Sequence, residues 1–420
     1  YFSLISWLAM LFAAGLGVRL LFWATPEPLS HFALARRYLP DNQAATQALF
    51  ITQFNWGIHA WGIYAVTGLV LAYTAFRRNR PMTLTAVIEM GFPGDRWTGP
   101  VGWVLDTLAL FAVAIGLGGS IAMGVFQIVS GLEALVPPVA GPVLPFAILA
   151  VLVLVYTPAL VVDLSRGMSV LSNLAMALAG ALMLVILITG PTGFLMSTLV
   201  QSIGEYADAA LVQGLRTYSV FDPEVESWFH DWTLSYMVWW LAWAPFVGVF
   251  IARISRGRTI REFLLGVILA PAGFSLAWFA VFGGIGFYEV LKGPGKLLTV
   301  AETQVDRLTF DVLAALPFSG VSQWGVIVAA FLFVVTSVVS AAFVLGMLSA
   351  RGSLNPPRLI KLVWGGLAAA MGLAMVMVGD MEPVKRVIAI GAMPFVFVLP
   401  LMIVSFLRTL IDEERHYVDR

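Results

Sequence analysis

Six aromatic residues lie deep inside long apolar segments, and their types and spacing suit the capture of an organic cation. The run Trp56-Gly57-Ile58-His59-Ala60-Trp61-Gly62-Ile63-Tyr64 sets Trp61 and Tyr64 three positions apart, on one face of a helix. A second run, Trp239-Trp240-Leu241-Ala242-Trp243-Ala244-Pro245, belongs to another apolar segment. Tryptophan ordinarily sits at a membrane–water boundary, which suits Trp232 but not Trp243, well inside its segment. Two explanations stand side by side. The rings fill a core, with each indole nitrogen bonded to a neighbour. Or they form a cage whose ring faces attract a cation; a methylated ammonium donates few or no hydrogen bonds, so ring faces suit it better than carbonyls do.

Other residues carry weaker signals. Ala13-Ala14-Gly15-Leu16-Gly17 and the internal Pro245 are places where an apolar helix can unwind, although small residues also allow close helix packing. Asp106 and His59 are lone polar groups inside apolar segments; each is a proton relay in principle or a packed, hydrogen-bonded structural group. The four histidines are scattered and the chain has no cysteine, so neither disulfides nor thiolate metal sites arise.

The segments that position these residues are membrane spans. The 420 residues are 60% hydrophobic and 11% charged, with a mean hydropathy of +0.91. A soluble domain carries about 25% charged residues, so this chain needs lipid as solvent. The formal net charge is zero. No basic arm, zinc-finger spacing or phosphate loop is present, which excludes a nucleic-acid partner. The composition predicts an all-α polytopic membrane protein of ten spans, near 3–24, 48–76, 104–130, 143–162, 168–190, 229–254, 262–286, 321–348, 358–378 and 384–409. With both termini cytoplasmic, the inner connections hold 15 Lys and Arg residues and the outer ones 8, with Arg19 left inside a span; the positive-inside rule favours this orientation. The chain opens at Tyr1 and enters an apolar helix almost at once, which reads as part of a longer protein.

The spans divide five plus five: residues 1–190, a connection at 191–228, residues 229–409, and a cytoplasmic tail at 410–420. Five is odd, so the second set enters from the opposite side, as an inverted repeat does, and the first helix of each set should be broken at a binding site. Residues 191–216 have apolar positions at helical spacing around Glu205 and Asp208, predicting an amphipathic surface helix, with a second at 298–315. Such a helix either decorates the surface or couples the two halves.

At this point the sequence resembles a family, the betaine/choline/carnitine transporters. The resemblance covers essentially the whole chain. Its strongest strings are Asp231-Trp232-Thr233, the run from Trp239 to Gly248, and Arg253-Ile254-Ser255-Arg256-Gly257-Arg258-Thr259-Ile260-Arg261-Glu262-Phe263; Trp56 to Trp61 and Thr25-Pro26-Glu27-Pro28 support it. It implies the five-plus-five inverted-repeat, leucine-transporter-like fold, usually preceded by two further helices that this sequence lacks. It implies a homotrimer in the bacterial plasma membrane and secondary transport of a small solute such as betaine, choline or carnitine. By matching position it puts the aromatic substrate box on Trp56, Trp61, Tyr64 and Trp240, and pathway aromatics on Trp239 and Trp243. Helix unwinding falls on Gly15, Leu16 and Gly17. A sodium site, where the family uses one, falls on Ala13, Leu16, Phe333, Thr336 and Ser337. Helix-to-helix hydrogen bonding is the competing explanation for the Thr336-Ser337 pair.

Three features depart from the family. A second sodium site would need hydroxyls where this chain has Val113 and Leu117. Val339 stands where an acid is common. Arg19 replaces a small residue, usually glycine. An arginine cannot shed its charge and must find an anion, water or the interface. Three roles stay open for it: holding a carboxylate or sulfonate of the solute, supplying a fixed charge in place of sodium, or pairing with Glu27 or Asp106. The function expected is secondary transport, with no catalysis and no cofactor beyond sodium as a coupling ion. Sodium-independent exchange is the alternative. A channel lacks its continuous polar ring, a receptor stays open beside it, and a membrane enzyme lacks a visible catalytic cluster.

Overall fold

The computed structural model describes residues 2–15, 17–161, 164–219, 222–293, 297–298, 304–379, 390 and 393–418. Every regular element among them is helical. In chain order they are α1 (Leu4–Gly15), α2 (Gly17–Phe22), α3 (Pro26–Ala35), α4 (Asp41–Asn55), α5 (Ile58–Ala72), α6 (Leu84–Gly91), α7 (Thr98–Leu135), α8 (Leu144–Val161), α9 (Leu164–Thr189), α10 (Thr192–Gln213), α11 (Pro223–Phe229), α12 (Ser235–Ile254), α13 (Ile260–Lys292), α14 (Val305–Ala314), α15 (Ser319–Ser349), α16 (Arg358–Val378) and α17 (Phe395–Val418). Short π-helical turns close α5 at Tyr73–Arg77 and join α11 to α12 at His230–Leu234.

Nine helical stretches among the described residues are long and apolar enough to cross a bilayer. Burial sorts them. About four fifths of the most apolar window is buried in Thr98–Leu135, Pro223–Ile254 and Ser319–Ser349, against 28% in Leu144–Val161, Gly167–Thr189, Arg358–Val378 and Phe395–Glu414. The first group forms the centre, with α15 packed on α7, and α12 on α5. The second forms an outer shell whose exposed side chains, such as Leu154, Ile188 and Phe397, are apolar. That pattern fits lipid and not water as the surrounding solvent.

The segment at 3–24 is two helices. α1 is described to Gly15 and α2 from Gly17, with Leu16 between them outside the described residues; Gly17 has a φ of +47°, a conformation that L side chains rarely adopt, so the backbone leaves helical geometry there. The expectation for the other half differs from what is found. α12 runs without a break through Pro245. A proline removes one N–H, but here the surrounding turn is buried against α5 and α7, and packing keeps it helical. Of the last expected span, residues 384–389 lie outside the described residues, as does Leu16, and α17 continues to Val418.

An unforeseen break divides the second span. α4 ends at Asn55 and α5 starts at Ile58. α10, the amphipathic helix expected at 191–216, packs on α4 and α13, and its Tyr206 hydroxyl accepts from the freed Ile58 N–H at 2.8 Å. Glycine is needed at position 57, because a Cβ there would sit 2.1 Å from the Tyr206 hydroxyl oxygen. The second surface helix appears as α14; residues 299–303 lie outside the described residues.

Gly57→Val should displace Tyr206 and cost about 1–3 kcal/mol, as overpacking does, whereas Tyr206→Phe should cost about 1 kcal/mol for one lost hydrogen bond. Thermal unfolding in detergent measures both; equal, negligible shifts would show that α10 does not hold the break.

Candidate functional site

The break at 56–57 turns Trp56 inward. Its Nε1 donates to Glu27 Oε2 at 2.7 Å. The carbonyl of Asn55, released where α4 ends, accepts from Trp240 Nε1 at 2.8 Å. Trp56 and Trp240 then meet edge to face at 5.2 Å between centroids. One turn along α5, Trp61 stands edge-on to Tyr64 at 5.5 Å, and Tyr64 reaches Trp240 at 6.0 Å. All four side chains are fully buried. The structure therefore brings Trp56, Trp61, Tyr64 and Trp240 into one continuous cluster between α5 and α12.

Two glycines let the rings approach. A Cβ at Gly15 would lie 2.4 Å from the Trp61 ring, and one at Gly116 would lie 2.1 Å from the Trp243 ring. Gly15 thus ends α1 and also receives Trp61, so the break in the first span and the aromatic cluster of the second are in contact.

Glu27 organises one side of the cluster, and the sequence reading missed this role. Its carboxylate accepts from Trp56 Nε1, from Tyr236 Oη at 2.6 Å and from Asn55 Nδ2 at 3.0 Å. His31 Nε2 lies 3.3 Å from Oε1. Trp228 Nε1 donates to His31 Nδ1 at 3.0 Å, which places the ring's proton on Nε2, facing Glu27. The only available signal was a carboxylate between two prolines in an apolar chain.

Arg19 is buried beside the cluster, at the start of α2. Its guanidinium carbon lies 4.9, 5.8 and 4.5 Å from the ring centroids of Trp239, Trp240 and Trp243. These are cation–π distances. The structural role considered for Arg19, an ion pair with Glu27 or Asp106, is not what is found. Glu27 is occupied as above. Asp106 caps α6, accepting from Leu84 N at 2.7 Å and from Thr85 Oγ1 at 2.5 Å. Among the described residues, no ion pair includes Arg19.

The polar atoms of the cluster divide into two groups. Trp56 and Trp240 spend their N–H groups on the protein. Arg19 Nη1, Trp61 Nε1, Tyr64 Oη, Trp239 Nε1 and Trp243 Nε1 are buried without a hydrogen-bond partner. His59 is elsewhere: it stacks on Phe54 at 4.1 Å and lines a separate cavity of about 540 Å³ with Tyr206 and Met237.

The candidate cation residues lie on the far side of the α1–α2 break. A Cβ at Gly17 would be 2.9 Å from Ser337 Oγ and 4.0 Å from the Phe333 carbonyl. Thr336 Oγ1 donates to that carbonyl at 3.0 Å, so its lone pairs remain available. Ser340 Oγ donates to the carbonyls of Thr336 and Ser337. Ala13 is buried in the last turn of α1. Val113 and Leu117 are buried in α7 and present no oxygen. Hydroxyl and carbonyl oxygens of this kind suit a hard monovalent cation.

Comparison with known proteins agrees with this architecture. The sequence profile of the betaine/carnitine/choline family of transporters matches residues 1–415. The glycine betaine transporter OpuD of Bacillus subtilis is 38% identical over 420 residues, covering 99% of this chain and 80% of that protein. An ectoine/hydroxyectoine transporter of Virgibacillus pantothenticus is 32% identical over 417 residues, 99% of this chain and 82% of that protein. A high-affinity choline transport protein of Escherichia coli is 34% identical over 417 residues, 98% of this chain and 61% of that protein. A profile match over nearly the full length, together with relatives this similar, means that the chain belongs to the betaine/carnitine/choline family of membrane transporters.

Proposed function

We propose that the solute binds in the box of Trp56, Trp61, Tyr64 and Trp240, with Trp239 and Trp243 lining its continuation, and crosses by alternating access. The chain is a secondary transporter of a zwitterionic or quaternary-ammonium osmolyte and not an enzyme; that much follows from its family. The observation that carries the site is the closed aromatic cluster at the α1–α2 and α4–α5 breaks, where backbone leaves helical geometry in the interior. Interrupted helices at mid-membrane depth are where transporters of this kind hold their cargo. Ring faces supply the attraction for a methylated ammonium. The five-plus-five inverted repeat is supported by the parity of the spans and by the broken first helix. α12 is continuous, so the second half contributes side chains and not freed backbone.

One sodium ion is the proposed coupling ion, held by Thr336, Ser337, the Phe333 carbonyl and backbone at Ala13 and Leu16. The support is the approach of Gly17 to Ser337 and Phe333. Val113 and Leu117 give a second ion no oxygen. Sodium-independent exchange is the second reading, favoured by Val339 at the position where an acid is common. The proposed setting is a homotrimer in a bacterial inner membrane with both termini cytoplasmic; the excess of basic residues on that side supports the orientation.

Trp61→Ala or Trp240→Ala should abolish detectable binding of a transported osmolyte by folded protein, measured by calorimetry; wild-type affinity in both variants would exclude the box. Osmolyte uptake into proteoliposomes should rise with the first power of sodium concentration at low sodium. A squared dependence would demand a second ion, and indifference to sodium would leave exchange or proton coupling as the mechanism. Conversion of the solute without accumulation would sink transport altogether.

A further inference from the structure

We infer that Arg19 makes this site selective for solutes bearing a carboxylate or sulfonate and turns away solutes that are only cationic. The inference rests on the reading of the aromatic box as the solute site. It begins with a guanidinium that no carboxylate among the described residues pairs with. Arg19 is 3% exposed. Its charge cannot be discharged by losing a proton. The ring faces of Trp239, Trp240 and Trp243 offset part of the desolvation of that charge, but a ring face is no hydrogen-bond acceptor for Nη1.

Four further donors share the deficit. Trp61 Nε1, Trp239 Nε1 and Trp243 Nε1 are unpartnered, and an indole N–H donates and never accepts. The Tyr64 hydroxyl is unpartnered as well. Trp240 is the wall common to the two sides: Tyr64 packs on it at 6.0 Å and Arg19 at 5.8 Å. What this donor set lacks is a charged acceptor with several lone pairs, which a carboxylate or sulfonate supplies. The two carboxylates considered as its partners are committed elsewhere, Glu27 to Trp56, Tyr236 and Asn55, and Asp106 to the start of α6. Nor does any hydrogen bond join Arg19 to Thr336 or Ser337 among the described residues. Its guanidinium lies on the α12 rings and not at the candidate ion position.

The site is then bipolar. Arg19 takes the anionic end of a zwitterion, and the faces of Trp56, Trp61 and Tyr64 take the ammonium end. A solute with only a positive charge meets Arg19 as a like charge in a low-dielectric interior, where repulsion is far stronger than in water.

Glycine betaine and choline form the test pair, because both carry a trimethylammonium and only the first carries a carboxylate. Each is titrated into purified protein in nanodiscs and followed by calorimetry. Wild type should prefer glycine betaine by about 10- to 100-fold, the value of hydrogen bonds to a charged group. Arg19→Gly should lose that preference, and Arg19→Lys should keep part of it. Choline binding as well as or better than glycine betaine to wild type overturns the inference, and this arm needs no variant to fold. An unchanged ratio in folded Arg19→Gly overturns it too. Trp61→Ala separates the two readings. If that variant loses both solutes while wild type shows no preference, the box stands and only the role of Arg19 falls. If it binds as wild type does, the box itself is wrong. Silence of the wild type toward glycine betaine, carnitine, taurine and choline alike overturns both.

Discussion

A carboxylate in the interior of a membrane protein must be satisfied, and the way Glu27 is satisfied sets the geometry of everything near it. Each hydrogen bond to a charged group is worth about 1.5–3 kcal/mol, while stranding the charge would cost several kcal/mol. Glu27 avoids the second outcome by drawing donors from three directions: Asn55 and Trp56 at the end of α4, Tyr236 on α12, and His31 on its own helix. Trp56 can reach it only because the second span breaks after Asn55. The same break frees the Asn55 carbonyl that fixes Trp240. Two rings of the box, one from each half of the chain, are therefore oriented by a single acid and the interruption it exploits.

The remaining polar atoms follow the opposite logic. A buried donor without an acceptor costs about 1–3 kcal/mol, and several surround Arg19. On the proposed alternating access, water would meet those needs when the site opens to either side. In the closed arrangement an oxyanion of the solute meets them better, in a medium where charge-assisted bonds are stronger. A ligand shifts a conformational equilibrium only by its differential affinity for the two states. On the proposed reading, donors left dry in this arrangement would provide that differential, so the residues proposed to recognise the solute would also favour closure around it.

Much of this was legible in the sequence, and the reasons for the misses are physical. The nine long apolar helices among the described residues followed from hydropathy, because lipid imposes length and apolarity on every crossing helix. The interruption at Gly15–Gly17 was legible because a paired glycine run tolerates positive φ. The aromatic set was legible from residue type and from helical spacing. The break at Trp56–Gly57 was not. A lone glycine in an apolar run ordinarily stays helical, and the partner that makes position 57 special, Tyr206, lies about 150 residues away in sequence. Pro245 misled in the other direction: a proline weakens a helix locally, but contacts with α5 and α7 determine whether it opens. Asp106 was legible as a hydrogen-bonded structural group, but its partners and the role of Glu27 were hidden for the same reason, since an acid's donors are chosen by the fold and not by its neighbours in sequence.

The two ends of α12 show where closure can be undone at least expense. Beyond its first turn, Arg37 pairs with Glu224, and Trp228 binds His31. At its other end, Trp7 Nε1 donates to Ser255 Oγ at 2.9 Å, and Arg258 covers the Trp7 ring at 4.7 Å while bonding the Phe2 carbonyl at 2.9 Å. The Arg37–Glu224 pair is about half exposed, and exposed pairs are worth about 0–1 kcal/mol. Parting it exposes its groups to water, which replaces what is lost. Parting the Glu27 cluster would strand a carboxylate together with the N–H of Trp56 and the hydroxyl of Tyr236. The exposed Arg37–Glu224 pair therefore costs less to part than the Glu27 cluster. On the proposed alternating access, opening would part such rim contacts and leave the Glu27 cluster intact.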